Sequence, residues 1–133
     1  MKKKVINIDG AKRPMRPDGT PVAPISQAVE AGGFVFVSGL LPLDMSTGEI
    51  VSGDIQVQTR QCLENVKSVL EAAETTLENV VKTTVYCTNS GHFDKVNDIY
   101  REYFPVDPPA RTFVTVGSWP MAFDIEIECV AIK

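Results

Sequence analysis

Alternating apolar and polar residues in the first part of the chain predict short β-strands. Residues 5–8, VINI, form the first candidate strand, and the proline- and glycine-rich stretch from Gly10 to Pro24 predicts a loop. The segment SQAVEAGGFVFVSG then predicts two strands joined at Ala31-Gly32-Gly33, which is a hairpin signal. The segment TGEIV predicts a turn followed by one further brief strand.

The pattern changes to helical spacing after Asp54. The apolar residues from Ile55 to Ala73 predict a helix of about five turns, with Ser52 or Asp54 as its N-cap. A second helix is predicted for HFDKVNDIYREYF, because its apolar residues share one side and Pro105 stops it. The β-branched segment NVVKTTVYCT between the helices predicts a strand, and RTFVTVG and DIEIECVAI predict two more.

The order of elements from the hairpin onward, β-β-β-α-β-α-β-β, predicts an α+β fold with a mixed sheet. Both helices are expected to pack on the same face of that sheet, which gives a two-layer domain. A length of 133 residues fits one domain, and we therefore predict a single domain over residues 1–133.

Alternation along the last two strands predicts which side chains point away from the helices. In RTFVTVG it assigns Thr112 and Val114 to the helix side, and Arg111 and Phe113 to the other side. In DIEIECVAI it assigns Glu128 to the side without helices. If these two strands pair as a hairpin, Arg111 and Glu128 become diagonal neighbours on one face.

Two interpretations of this predicted pair remain open. The first is a simple cross-strand salt bridge between Arg111 and Glu128. The second is that another subunit covers the mixed apolar and charged face, and that Arg111 clamps an anionic ligand in the seam. A guanidinium suits the second role because its planar fork matches a carboxylate.

Composition and charge narrow the range of partners. The formal net charge of -4 argues against nucleic acid, which requires clustered Lys and Arg. No apolar segment follows the basic start, and the apolar run FVFV is too short to span a membrane, so we expect neither secretion nor a membrane partner. The three cysteines are odd in number and widely spaced, which favours a reducing, cytoplasmic setting. With His92 as the one histidine and no C-x-x-C motif, we expect no metal site.

Several segments resemble one known family in order and spacing. They are APISQAVEAGGFVFVSGLLPLD, QTRQCLENVKSVLEAA, VVKTTVYCTN, VNDIYREYF, PPARTFV and IEIECVAI. From about Pro24 to the C-terminus the chain resembles the Rid family of reactive intermediate deaminases, also called YjgF. The resemblance implies a chorismate-mutase-like fold and a homotrimer whose sheets form a central barrel, with ligand sites in the clefts between subunits.

The resemblance also implies a reaction and the residues that perform it. Arg111 is expected to bind the carboxylate of a 2-imino or enamine acid, and Glu128 to position the water that hydrolyses it. Ser38 and Asn97 match positions that line or support the cleft. The expected products are a 2-keto acid and ammonia, formed without a cofactor, because imine hydrolysis needs little beyond positioning and proton transfer.

Two residues depart from the pattern of the archetypal imine deaminases. Ile25 stands where they carry tyrosine, and Phe113 stands where they carry cysteine. Both changes make the predicted cleft more apolar and favour a bulkier or more apolar substrate. Trp119 lies in the connection before the last strand, where it is interpreted either as an anchor of the loop or as an aromatic wall of the cleft.

Three other functions remain open at this point. One is a catalytically silent trimer that binds a small carboxylate and regulates another protein. Another is a specialised deaminase of the 2-aminomuconate type, which acts on an aminated ring-cleavage product. The last is ribonuclease activity or inhibition of translation, which the acidic balance of the chain argues against.

Overall fold

A computed structural model of the protein describes residues 2–133. It contains eight strands and two α-helices. The strands are β1 (Lys4–Ile6), β2 (Ala28–Ala31), β3 (Phe34–Leu40), β4 (Leu43–Asp44), β5 (Glu49–Ile50), β6 (Val80–Cys87), β7 (Ala110–Thr115) and β8 (Ile125–Ile132). The helices are α1 (Ile55–Ala72) and α2 (Phe93–Tyr103), and short 3-10 turns precede β6 and α2 at Leu77–Asn79 and Ser90–His92.

Six of the strands form one mixed sheet in the order β1-β2-β3-β8-β6-β7. All neighbours pair antiparallel except β6 and β7, which are parallel and are joined through α2. Residues of both helices belong to the buried core with the sheet, so the predicted α+β fold is confirmed.

The brief strand predicted in TGEIV forms, but it does not join the main sheet. It is β5, which pairs with β4 in a separate two-stranded ribbon. Asn65 of α1 donates its side-chain amide to the carbonyl oxygens of Leu41 and Leu43, at 3.0 and 2.8 Å. These hydrogen bonds tie the ribbon to the helix, which explains why the chain turns away from the sheet here.

The core lies between the helices and one face of the sheet. Its largest fully buried side chains include Leu63 and Leu70 of α1 and Ile125 and Ile127 of β8. Burial of each such side chain stabilises the fold by roughly 1.5–3 kcal/mol. Helix α1 begins as predicted at Asp54, whose carboxylate accepts hydrogen bonds from the backbone N–H groups of the first turn.

The hairpin between β2 and β3 also matches the prediction. Its two connecting residues, Gly32 and Gly33, have φ angles of 60° and 84°. A two-residue turn with positive φ at both positions suits the twist of paired strands, and glycine adopts it without strain.

The predicted hairpin of the last two strands is wrong. Strand β6 lies between β7 and β8, since α2 returns the chain to the far side of β6. The β6–β7 register places Arg111 opposite Thr83 and Phe113 opposite Val85, and Thr83 and Val85 are buried under the helices. Arg111 and Phe113 therefore face the helix layer, contrary to the prediction from alternation.

Glu128 does lie on the face without helices, as predicted. Its neighbours in β8, Ile127 and Cys129, are buried on the helix side, and its side chain alternates with theirs. Consequently Arg111 and Glu128 are on opposite faces of the sheet, and the predicted diagonal pair does not exist within one chain.

Candidate active site

Arg111 lies on the edge strand β7 beside helix α2. Its Nη1 donates a hydrogen bond to Asn97 Oδ1 at 2.8 Å. None of the ion pairs found among residues 2–133 includes Arg111. A guanidinium has more N–H donors than one amide oxygen can accept, so this group retains hydrogen-bonding capacity for a ligand.

Three aromatic rings surround the guanidinium of Arg111. Its Cζ lies 4.8 Å from the ring centroid of Tyr100, 5.5 Å from that of Phe93 and 5.9 Å from that of Phe113. Contacts of this kind are favourable because the ring faces are negative. The name Arg111 cluster is used for the set that consists of Arg111, Asn97, Phe93, Tyr100 and Phe113. The cluster holds the arginine without neutralising its charge.

A hydrogen bond to strand β6 fixes the position of the Tyr100 ring. The Tyr100 hydroxyl and Thr83 Oγ1 share a hydrogen bond of 2.7 Å in the core. Burial raises the pKa of the Tyr100 phenol, while the charge of Arg111 acts in the opposite direction. Tyr100 is therefore a neutral platform for the guanidinium near neutral pH.

Glu128 occupies a different environment on the open face, which is the face of the sheet without helices. It accepts a hydrogen bond from the Tyr86 hydroxyl, and this bond is the largest cause of the raised pKa of Tyr86. Lys82 and Thr84 of β6 and Phe36 of β3 line the same shallow depression. Glu128 is thus already bound to a phenol rather than to the arginine.

Glu126, two residues earlier on the same face, was not predicted as a site residue. Burial raises the pKa of its carboxyl, and the Trp119 side chain acts against that rise. A Cβ placed on Gly39 would lie 3.3 Å from Glu126 Oε2, so the carboxylate rests against the backbone of β3. The sequence signal was present in the EIE motif, but alternation alone cannot distinguish two glutamates of equal parity.

Ser38 and Ile25 are connected to Glu126 through Gly39, which follows Ser38 in β3 and lines a pocket with Ile25. Ser38 Oγ donates to the Ser26 carbonyl at 2.6 Å, which fixes β3 just before Gly39. Ile25 is 51% exposed and lines an apolar pocket of about 120 Å³ together with Gly39 and residues such as Met121. These residues and Glu126 form a second group, which is called the Glu126 region below.

The Trp119 side chain contacts both the residues before β8 and Glu126. Its ring stacks on Phe123 with centroids 4.6 Å apart and an interplanar angle of 26°. Phe123 is buried just before β8, so the stacking ties the connection between β7 and β8 to the core.

The structure therefore brings the predicted residues together in two groups. Arg111, Asn97 and Phe113 meet in the Arg111 cluster, while Ser38 and Ile25 are connected to Glu126 through Gly39. Arg111 and Glu126 lie on opposite faces of one sheet. A single copy of the chain consequently does not place a glutamate beside the arginine.

Two further features bear on the site among residues 2–133. No group of three or more His, Cys, Asp or Glu side chains is arranged to hold a metal ion. No helix in this part of the chain is long and apolar enough to cross a membrane.

Comparison with known proteins identifies the family. Residues 16–133 match the family model described as Endoribonuclease L-PSP. A RutC family protein of Pyrococcus horikoshii is 50% identical over 113 residues, which are 85% of this chain and 90% of that protein. The chloroplastic Reactive Intermediate Deaminase A of Arabidopsis thaliana is 42% identical over 83% of this chain and 59% of that protein.

A solved structure gives the same answer for the fold. The crystal structure of a putative endoribonuclease from Thermotoga maritima superposes with a TM-score of 0.88 and 42% sequence identity, and the match covers 100% of this chain and 98% of that one. The chain therefore belongs to the YjgF/RutC/Rid family, as its segments from Pro24 onward predicted.

Proposed function

We propose that the protein hydrolyses reactive 2-imino or enamine acids to 2-keto acids and ammonia, in sites formed between copies of the chain. The observation that carries the proposal is the Arg111 guanidinium, which is held by Asn97 and aromatic rings but forms no ion pair with an acidic side chain among residues 2–133. A carboxylate ligand supplies the missing charge and accepts the remaining N–H groups. A homologue named Reactive Intermediate Deaminase A supports the reaction class.

The reaction requires few groups from the protein. Water adds to C2 of the imine while a carboxylate takes one of its protons, and the imine nitrogen gains a proton, which gives a carbinolamine. The carbinolamine nitrogen then takes a second proton from the protonated carboxylate, the C–N bond breaks and ammonia leaves. The hydroxyl group gives up its proton to become the keto group, which restores the proton balance. Arg111 fixes the substrate by its carboxylate, and backbone groups near Phe113 receive the iminium N–H. Positioning and general-base help suffice, so the proposal includes no cofactor.

Assembly of several copies is part of the proposal. On the open face Phe34 and Phe36 are 42% and 47% exposed, and Val5 and Ile132 are exposed beside them. Exposed apolar patches of this kind mark interaction surfaces. In the proposed homotrimer a neighbouring copy covers the open face and buries the aromatic residues. Arg111 lies on the edge strand β7, so the edge of one copy can bring the Arg111 cluster toward the glutamates of another.

Two glutamates compete for the role of the base. Glu128 remains the residue predicted from the sequence, yet its carboxylate is engaged by Tyr86. Glu126 has a raised pKa because it is half-buried, and a general base works best when its pKa approaches the working pH. We therefore favour Glu126 as the group that activates water, with Glu128 and Tyr86 as its neighbours on the open face.

Ammonia and keto-acid release from freshly generated imino acids tests the proposal. We expect acceleration by the wild-type protein, and a loss of about 10- to 100-fold in kcat/KM for Arg111→Gln, because charge-assisted hydrogen bonds to the substrate disappear. We expect Glu126→Gln to lower kcat by about 100-fold or more, the usual contribution of a positioned base. Arg101→Gln is the control, since Arg101 is an exposed arginine of α2 paired with Asp98.

The same assay distinguishes a binding protein from an enzyme. Binding of small carboxylates that depends on Arg111, without any acceleration of hydrolysis, would replace the proposed deaminase by a silent carboxylate-binding trimer. A larger loss of activity in Glu128→Gln than in Glu126→Gln would return the role of base to Glu128.

A further inference from the structure

The Arg111 cluster places an aromatic pair beside the carboxylate-binding group. The rings of Phe93 and Phe113 meet edge to face, with centroids 5.2 Å apart and an interplanar angle of 79°. Both centroids lie within 5.9 Å of the guanidinium Cζ of Arg111. Phe93 is 43% exposed, although it belongs to the apolar side of α2. An exposed ring next to a cation with free N–H donors indicates a surface for a ligand.

The rings also restrict how a carboxylate approaches Arg111. The three ring centroids lie within 5.9 Å of the guanidinium carbon, whereas the N–H groups point outward in the guanidinium plane. Asn97 takes one of these positions through Nη1. A carboxylate therefore binds in the plane at the remaining edge, and a short substituent is enough to bring the rest of the ligand into contact with the aromatic pair.

From this geometry we infer that the ligand is a carboxylate with an aromatic ring close to the carboxyl group, and that Phe93 and Phe113 determine this specificity. The inference rests on the proposed function, because it takes Arg111 as the carboxylate-binding residue. The corresponding substrate is an aromatic 2-imino acid. Its hydrolysis consumes one water and yields the aromatic 2-keto acid and ammonia.

An aromatic ligand fits this surface better than a saturated one of the same size. Aromatic rings prefer edge-to-face and offset packing, because their edges are positive and their faces negative. The Phe93–Phe113 pair already has the edge-to-face geometry, so a third ring extends it. A cyclohexyl group buries a similar apolar area but lacks this electrostatic contribution.

Binding of stable carboxylates to the wild-type protein tests the inference without relying on turnover. Dissociation constants for acetate, cyclohexylacetate and phenylacetate are measured by calorimetry or by NMR titration. Both ring-bearing acids are expected to bind more tightly than acetate, because they bury apolar surface. Phenylacetate is expected to bind about three- to tenfold more tightly than cyclohexylacetate, the range typical of one aromatic pair.

Variants assign the preference to the two rings. Phe113→Leu and Phe93→Leu retain apolar bulk and are expected to reduce the preference for phenylacetate over cyclohexylacetate to about one. Val57→Ala, which changes a 43% exposed position of α1 outside both candidate groups, is the control and is expected to keep the preference.

The outcomes separate this inference from the function on which it rests. Equal affinity for all three acids, lost in Arg111→Gln, overturns the aromatic specificity and leaves the carboxylate site intact. Absence of binding by any of the acids overturns both. A preference for phenylacetate that persists in both leucine variants overturns the assignment to Phe93 and Phe113.

Discussion

The two faces of the sheet differ in how they are completed. On the helix side α1 and α2 cover the sheet, and side chains such as Leu63 and Ile127 are fully buried. On the open face, Phe34 and Phe36 lie exposed beside Val130 and Glu128. Arg111 belongs to the first face and the candidate bases to the second. Folding alone therefore completes one half of the site, and the other half depends on assembly.

The largest expected effect concerns the helix-covered face. Leu63→Ala is expected to lower the free energy of unfolding by about 2–5 kcal/mol, because it leaves a cavity in a fully packed region. Denaturant-induced unfolding measures the change. Val57→Ala, at a 43% exposed position of α1, is the control and should change stability by less than about 0.5 kcal/mol. Similar losses in the two variants would contradict the assignment of the core.

A change on the open face is expected to affect assembly rather than the fold. Phe36→Glu places a charge in the middle of the exposed apolar residues, and sedimentation velocity should then show a smaller species than the wild type. Val57→Glu adds the same charge to the exposed side of α1 and should leave the sedimentation coefficient unchanged. If neither variant sediments differently from the wild type, the open face is not the interface.

The smallest expected effect is the pH dependence that Glu126 confers. Burial raises the pKa of Glu126 in the folded protein above its ordinary value of 4.5. The contribution of Glu126 to the free energy of unfolding is therefore complete below pH 4.5. This contribution declines as the pH rises through the higher pKa of the folded state. The unfolding free energy of Glu126→Gln should fall less over this range than that of the wild type. Identical pH profiles for the two proteins would show that Glu126 is not perturbed.

The local elements of the fold were predictable because they depend on short periodicities. The helical spacing after Asp54 and the glycine pair at positions 32 and 33 each determine a local structure. The order of the last strands was not predictable in this way. Insertion of β6 between β7 and β8 depends on contacts that are distant in sequence. In RTFVTVG both sets of alternating side chains include residues that fit a core, so alternation could not identify the helix side.

The candidate site was predictable in part for the same reason. Arg111 was identifiable from the sequence because it is a single cationic residue between two prolines and a strand. The structure shows that Asn97 accepts a hydrogen bond from it. The rings of Phe93 and Tyr100 reach Arg111 only through the parallel register of β6 and β7, which no local pattern encodes. The raised pKa of Glu126 likewise depends on burial, which the EIE motif does not reveal.

The most direct test of a site shared between copies is to mix two inactive variants. Arg111→Gln and Glu126→Gln are unfolded together, refolded, and assayed for ammonia release beside each variant refolded alone. Because one copy supplies the arginine and its neighbour the glutamate, mixed assemblies should regain activity. Random assortment in a ring gives both intact residues in about one quarter of all clefts. Mixed assemblies that remain as inactive as the separate variants would contradict the account.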